Sequence, residues 1–164
     1  MFIPFESLPV HARVWVYQAD KLLTKEQQAI ISDHLRSFTD QWTVHGAAME
    51  ASFKILDDYF VILAANDQTS GCSIDSSVRK IREVGGLINV DFFNRNHIAF
   101  QVEGEVRFIS MKDLKEALSQ GKWSGDSLHY NNLIQSIGEL RDRWLLPAKQ
   151  GWLARYLDRQ TVSG

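Results

Sequence analysis

One cysteine in 164 residues, Cys72, leaves no disulfide framework and no cysteine-based structural zinc site. Such sparing use fits a reducing compartment. Charge of one sign is lacking too: 18 Lys and Arg stand against 20 Asp and Glu, a formal net charge of −2. A protein that grips phosphate backbones by bulk attraction carries a clear positive excess, so no nucleic-acid partner is expected. Long apolar runs are missing. The longest, residues 59–65, is far short of the roughly 20 residues that cross a bilayer. The opening segment shows no basic region followed by an apolar stretch, so no signal peptide is read there. The expectation is a cytoplasmic protein with no membrane partner. None of the five histidines stands at i, i+4 from another, and H-E-x-x-H does not occur, so neither metal nor cofactor is expected.

What is present is an ordinary globular composition, 45% apolar and 23% charged. It predicts a single α+β domain over residues 1–157, with residues 158–164 as a frayed tail. Arg13-Val14-Trp15-Val16-Tyr17 alternates bulky β-formers and reads as a strand. Thr24-Lys25-Glu26-Gln27 matches a capping box. Ile31, Leu35, Phe38 and Trp42 then form one helical stripe, with Gly46 placed to end that helix.

Residues 51–56 and 59–65 read as a hairpin around Asp57-Asp58. A two-residue loop pairs Ile55 with Phe60 and Phe53 with Ile62, and puts these four on one buried face. A second amphipathic helix carries Ile74, Val78, Ile81 and Ile88, with Ser73 as N-cap and Gly85-Gly86 weakening its end. A hairpin around Glu103-Gly104 follows. The order strand, helix, strand, strand, helix, strand is the ferredoxin-like arrangement. An extra strand and C-terminal helices come after it, one striped by Leu133, Ile137, Leu140 and Trp144 and one starting at Pro147.

Trp15 and Tyr17 share a strand face. Stacked bases on such a face mark single-stranded RNA binders, but the accompanying basic-aromatic motif is absent. Cover by the helices of Trp144 and Trp152 is the expected account of that face.

The informative stretch is Gly71-Cys72-Ser73-Ile74-Asp75-Ser76-Ser77, at a strand-to-helix transition. First-turn amides lack internal partners and the helix dipole adds positive charge there. Gly71, Ser73, Ser76 and Ser77 are therefore candidate ligands for a small anion. Cys72 at a helix start can gain thiolate character. With His45 as base and Asp75 or Asp67 orienting the imidazole, it would make a nucleophilic site. The plainer account is capping by Ser73 and Asp75 with Cys72 as a small buried residue, and the Asp75 carboxylate opposes an anion. A third reading is an interaction or assembly module, including a homo-oligomer, through the aromatic sheet face or the C-terminal helices.

The pattern Trp42-x-x-His45-Gly46, Ser52-Phe53 and the Gly71-to-Ser77 run resembles a family of short bacterial proteins of the Bacteroidetes. The opening Ile3-Pro4-Phe5 and His11-Ala12-Arg13-Val14-Trp15 is similar as well. Members often carry the label "ABC transporter ATPase", which the residues here do not support. A phosphate-cradling loop needs G-x-x-x-x-G-K-[ST]. The only Gly-Lys pair, Gly121-Lys122, is followed by Trp123 and has Glu116 where the first glycine belongs. Pure protein is therefore expected to show no magnesium-dependent ATP turnover. Turnover that a point substitution in this chain abolishes would contradict that.

Overall fold

The computed structural model describes residues 1–66 and 71–157, with side chains from residue 75 onward in the second stretch. Along the chain run β1 (Arg13–Gln18), α1 (Lys25–Gln41), β2 (Thr43–Val44), β3 (Ala47–Ala48), β4 (Ala51–Leu56), β5 (Phe60–Ala65) and α2 (Gly71–Ile88). Then follow β6 (His97–Val102), β7 (Glu105–Ser110), α3 (Leu114–Ser119), β8 (Leu128–Tyr130), α4 (Ile137–Arg143) and β9 (Leu145–Pro147). The elements gather into two compact units, one of Met1–Asn94 with Leu133–Arg141, the other of residues 95–132 and 142–157. The class is α+β with antiparallel sheets. No helix among the described residues is long and apolar enough to cross a membrane.

In the first unit the sheet order is β1-β5-β4, all antiparallel. That order matches the first three strands of a ferredoxin-like sheet, but the fourth is not there. β6 pairs instead with β7 and β8, in a separate sheet of order β7-β6-β8-β9. The outer edge of β1 is taken by the segment before α4. Val14 N–H donates to the Gln135 carbonyl at 3.1 Å, and Ile137 N–H to the Ala12 carbonyl at 3.0 Å. The ferredoxin-like expectation is corrected accordingly: the edge that a fourth strand would need is occupied.

α1 starts as its capping box requires, with both reciprocal bonds between Thr24 and Gln27 present. Its stripe buries Ile31 and Leu35. Gly46 does not end it. The helix stops at Gln41, and His45 (φ 53°) and Gly46 (φ 79°) form the two-residue turn between β2 and β3.

The hairpin of β4 and β5 differs from expectation by one residue. Leu56 pairs with Phe60, Ile55 with Val61 and Phe53 with Leu63. The turn takes Tyr59 as well as Asp57 and Asp58, both left-handed. Tertiary contacts fix it: Ala19 N–H donates to the Tyr59 carbonyl at 2.7 Å and Leu23 N–H to the Asp58 carbonyl at 2.9 Å. A slip of one residue moves a strand's side chains to the other face. Phe53, Ile55, Val61 and Leu63 therefore join Trp15 and Tyr17 under α1 and α2. Phe60 and Ile62 lie on the opposite face, also fully buried. On that face Lys54 pairs with Glu6 at 2.7 Å and lies over the Phe5 ring. The rings that meet Trp15 and Tyr17 are Trp42 and Phe93, not those of Trp144 and Trp152.

α2 ends in a close turn. Asn89 is left-handed (φ 56°) and Val90 N–H donates back to the Gly85 carbonyl at 3.0 Å, the pattern of a Schellman cap. The two glycines differ sharply. A Cβ on Gly85 would sit 2.6 Å from the Val90 carbonyl oxygen, whereas one on Gly86 meets nothing within 4 Å. Gly86→Ala is therefore expected to stabilise by about 0.5–1 kcal/mol through helix propensity. Gly85→Ala is expected to destabilise by about 1–2 kcal/mol, as overpacking does. Chemical unfolding of the two variants checks the opposite signs.

In the second unit, Glu103 (φ 53°) and Gly104 (φ 78°) make a two-residue turn, so Phe100 faces Arg107 as that loop length dictates. Its core gathers Phe100, Leu114, Trp123, Ala148 and Leu153. The stripe Leu133-Ile137-Leu140-Trp144 is only partly helical. Ser136 accepts from Glu139 N–H at 3.2 Å and α4 starts at Ile137, so Leu133 precedes the helix and stays exposed. Pro147 closes β9 and leads into a 3-10 turn, Ala148–Gln150. The tail expectation for residues 158–164 lies outside the described residues.

Candidate functional site

The start of α2 bears on the first candidate. The helix begins at Gly71, so Ser73 stands within its first turn and is not its N-cap. The side chains of Cys72, Ser73 and Ile74 lie outside the described residues, as does Asp67. Asp75 comes after the first turn, which carries no acidic residue, and is exposed. Ser76 is half-buried, and Ser77 is buried. The Ser77 hydroxyl lies 2.7 Å from the Tyr17 hydroxyl, which ties the helix to β1. Burial pushes the Tyr17 phenol up, and this hydrogen bond opposes the shift. Ser77 thus acts as an anchor here. His45 is exposed at the tip of the β2–β3 turn. Its proposed pairing with Cys72 falls on a side chain outside the described residues.

The other end of α2 holds a recess of about 400 Å³ that the sequence did not suggest. Asp20, Lys21, Arg82, Gly86, Asp91 and Phe93 line it. Three backbone constraints build its wall. The Schellman turn reverses the chain after α2. Asp20 and Asp91 then clasp each other: Asp91 N–H donates to Asp20 Oδ1 at 3.0 Å and Asp20 N–H to the Asp91 carbonyl at 3.0 Å. Phe93 N–H donates to Asp91 Oδ1 at 2.8 Å, an Asx-type turn. Phe93 is thereby held edge-on to Tyr17, with ring centroids 5.7 Å apart. Its outer face carries Arg82, whose guanidinium carbon lies 4.3 Å from the ring centroid.

Stacking on an aromatic face orients a guanidinium without using its N–H donors. Among the described residues neither Arg82 nor Lys21 pairs with a carboxylate. The arrangement is a pre-set fork of donors beside a cleft of small-molecule size. Its members are scattered over three segments, with no short motif joining them. The one local hint was Gly85-Gly86 inside a helix, where the chain must come close to itself.

A second recess, about 450 Å³, lies in the other unit between β7 and α3, lined by Phe108, Ser110, Asp113, Glu116, Gln120 and Lys122. Two carboxylates against one ammonium disfavour an anion there, and Glu116 already accepts from Gln120 at 3.2 Å. Among the described residues no three His, Cys, Asp or Glu side chains gather as a metal site would require. Comparison with protein-family models, curated proteins and solved structures finds no match to this chain.

Proposed function

We propose that this chain is a small-molecule-binding protein that takes an anionic group on α2, at the recess beside Arg82. The observation that carries the reading is the Arg82 guanidinium, laid 4.3 Å over Phe93 and without a carboxylate partner among the described residues. A carboxylate or phosphate group meets such a fork with two parallel hydrogen bonds, one to each of two oxygens, and Lys21 adds a second positive charge. The start of α2 is the second reading. Its first turn carries no acid, which leaves the amides of residues 71–74 free of a competing negative charge from within that turn.

Calorimetric titration with acetate and with inorganic phosphate separates the two. Arg82→Gln is expected to weaken binding about tenfold or more, the scale of a lost hydrogen bond to a charged group. Ser76→Asp is expected to leave it within about twofold, since surface charges a Debye length apart are screened. The reverse pattern would move the site to the start of α2. No uptake of either anion by the wild-type protein would overturn the proposal.

A further inference from the structure

We infer that the recess beside Arg82 takes a zwitterion, a small amino-acid-like molecule whose carboxylate meets Arg82 and Lys21 and whose ammonium meets Asp20 and Asp91. The inference rests on the reading of this recess as an anion site and names the ligand class.

Four charged side chains line one cavity, two of each sign. None of them pairs with another or with any other charged group among the described residues. Opposite charges that share a cleft without neutralising one another leave both signs open to a ligand. A simple anion would satisfy Arg82 and Lys21 but also meet the two carboxylates. A simple cation would meet the reverse conflict. A molecule with both charges answers both poles.

The acidic pole is pre-set. Asp20 and Asp91 each use Oδ1 to accept a backbone N–H, at 3.0 and 2.8 Å. That fixes the carboxylate planes and leaves the second oxygen of each for a ligand. The C-terminal end of α2 lies at the same wall, through Gly86 and Asn89, and its dipole favours a positive group there. The basic pole is pre-set by the stacking of Arg82 on Phe93. Holding both poles in place lowers the ordering cost of binding. A volume of about 400 Å³ accommodates a molecule of this class.

The test is an NMR titration of the full chain with acetate, methylammonium, glycine, β-alanine and 4-aminobutyrate. The three amino acids span a range of charge separations. At least one of them is expected to saturate at a concentration tenfold or more below that for acetate or methylammonium. Asp20→Asn and Asp91→Asn keep the Oδ1 acceptor and hence the turn. Each is expected to remove most of that advantage and to leave acetate binding no weaker. If every amino acid binds no tighter than acetate while acetate still depends on Arg82, this inference fails and the anion reading stands. If neither acetate nor any of the amino acids binds, both fail. An advantage that survives both Asn substitutions also overturns the inference.

Discussion

Phe60→Ala is expected to cost about 3–5 kcal/mol of folding stability, the range for deleting a fully buried phenylalanine ring. Phe60 has no accessible surface and opens β5, the central strand of the first unit's sheet, all six residues of which are buried. It lies on the face away from α1 and α2. A large loss thus reports that this second face is as tightly packed as the first. Phe53, on the edge strand β4, is only half-buried, and Phe53→Ala should cost clearly less. Urea unfolding with an unchanged m-value measures both. A loss below about 1 kcal/mol at Phe60 would mean that the face is open and the register is not the one described.

Acidification is expected to destabilise the second unit through His129. This imidazole is fully buried on β8. Its Nδ1 lies 3.1 Å from the Leu146 carbonyl oxygen, so Nδ1 carries the proton and Nε2 is the lone pair of a neutral ring. Among the described residues Nε2 has no partner, and the ring packs so closely on Gly151 that a Cβ there would stand 2.6 Å from Cε1. Burial holds the His129 pKa below the ordinary histidine value, and the bond to Leu146 opposes the shift. A depressed folded pKa gives stability that is complete above the unfolded value, about 6.5, and lost as pH falls toward the folded one. For one proton the slope in that window cannot exceed roughly 1.4 kcal/mol per pH unit. His129→Leu should lower stability at pH 8, because it removes the imidazole's hydrogen bond to the Leu146 carbonyl. It should also flatten the loss between pH 6.5 and the acid limit. An equal slope in wild type and His129→Leu would remove His129 as the cause.

Local chemistry was legible in the sequence wherever neighbours in the chain decide the outcome. The Thr24-to-Gln27 capping box closes as its residues dictate. The hairpin around Glu103-Gly104 was legible but its register was not, because a two-residue turn sets Phe100 against Arg107 and so mixes an apolar with a charged side chain. Asp57-Asp58 looked equivalent but was not. The Asp58 and Tyr59 carbonyls are drawn to Leu23 and Ala19, contacts more than thirty residues away that no local rule contains. Gly46 failed as a helix end for a related reason, since Trp42 already turns the chain extended and the glycine is needed four residues later in a hairpin.

The sheet order was illegible for the same kind of reason. The free edge of β1 is bonded by the segment around Gln135, more than a hundred residues away in the chain, which no local pattern announces. Crowded hydroxyls drew attention to the start of α2, where Ser77 proves to be tied to Tyr17. The recess at the other end joins Asp20, Arg82, Asp91 and Phe93, residues from three segments that only folding brings together.

An anionic group is expected to bind beside Arg82. Backbone amide shifts of the isotope-labelled full chain, recorded as acetate is added, test it most directly. Saturable shifts concentrated at Lys21, Arg82, Gly86, Asp91 and Phe93 are expected, and their loss in Arg82→Gln. Shifts confined to residues 71–77, or the same shifts persisting in Arg82→Gln, would contradict it.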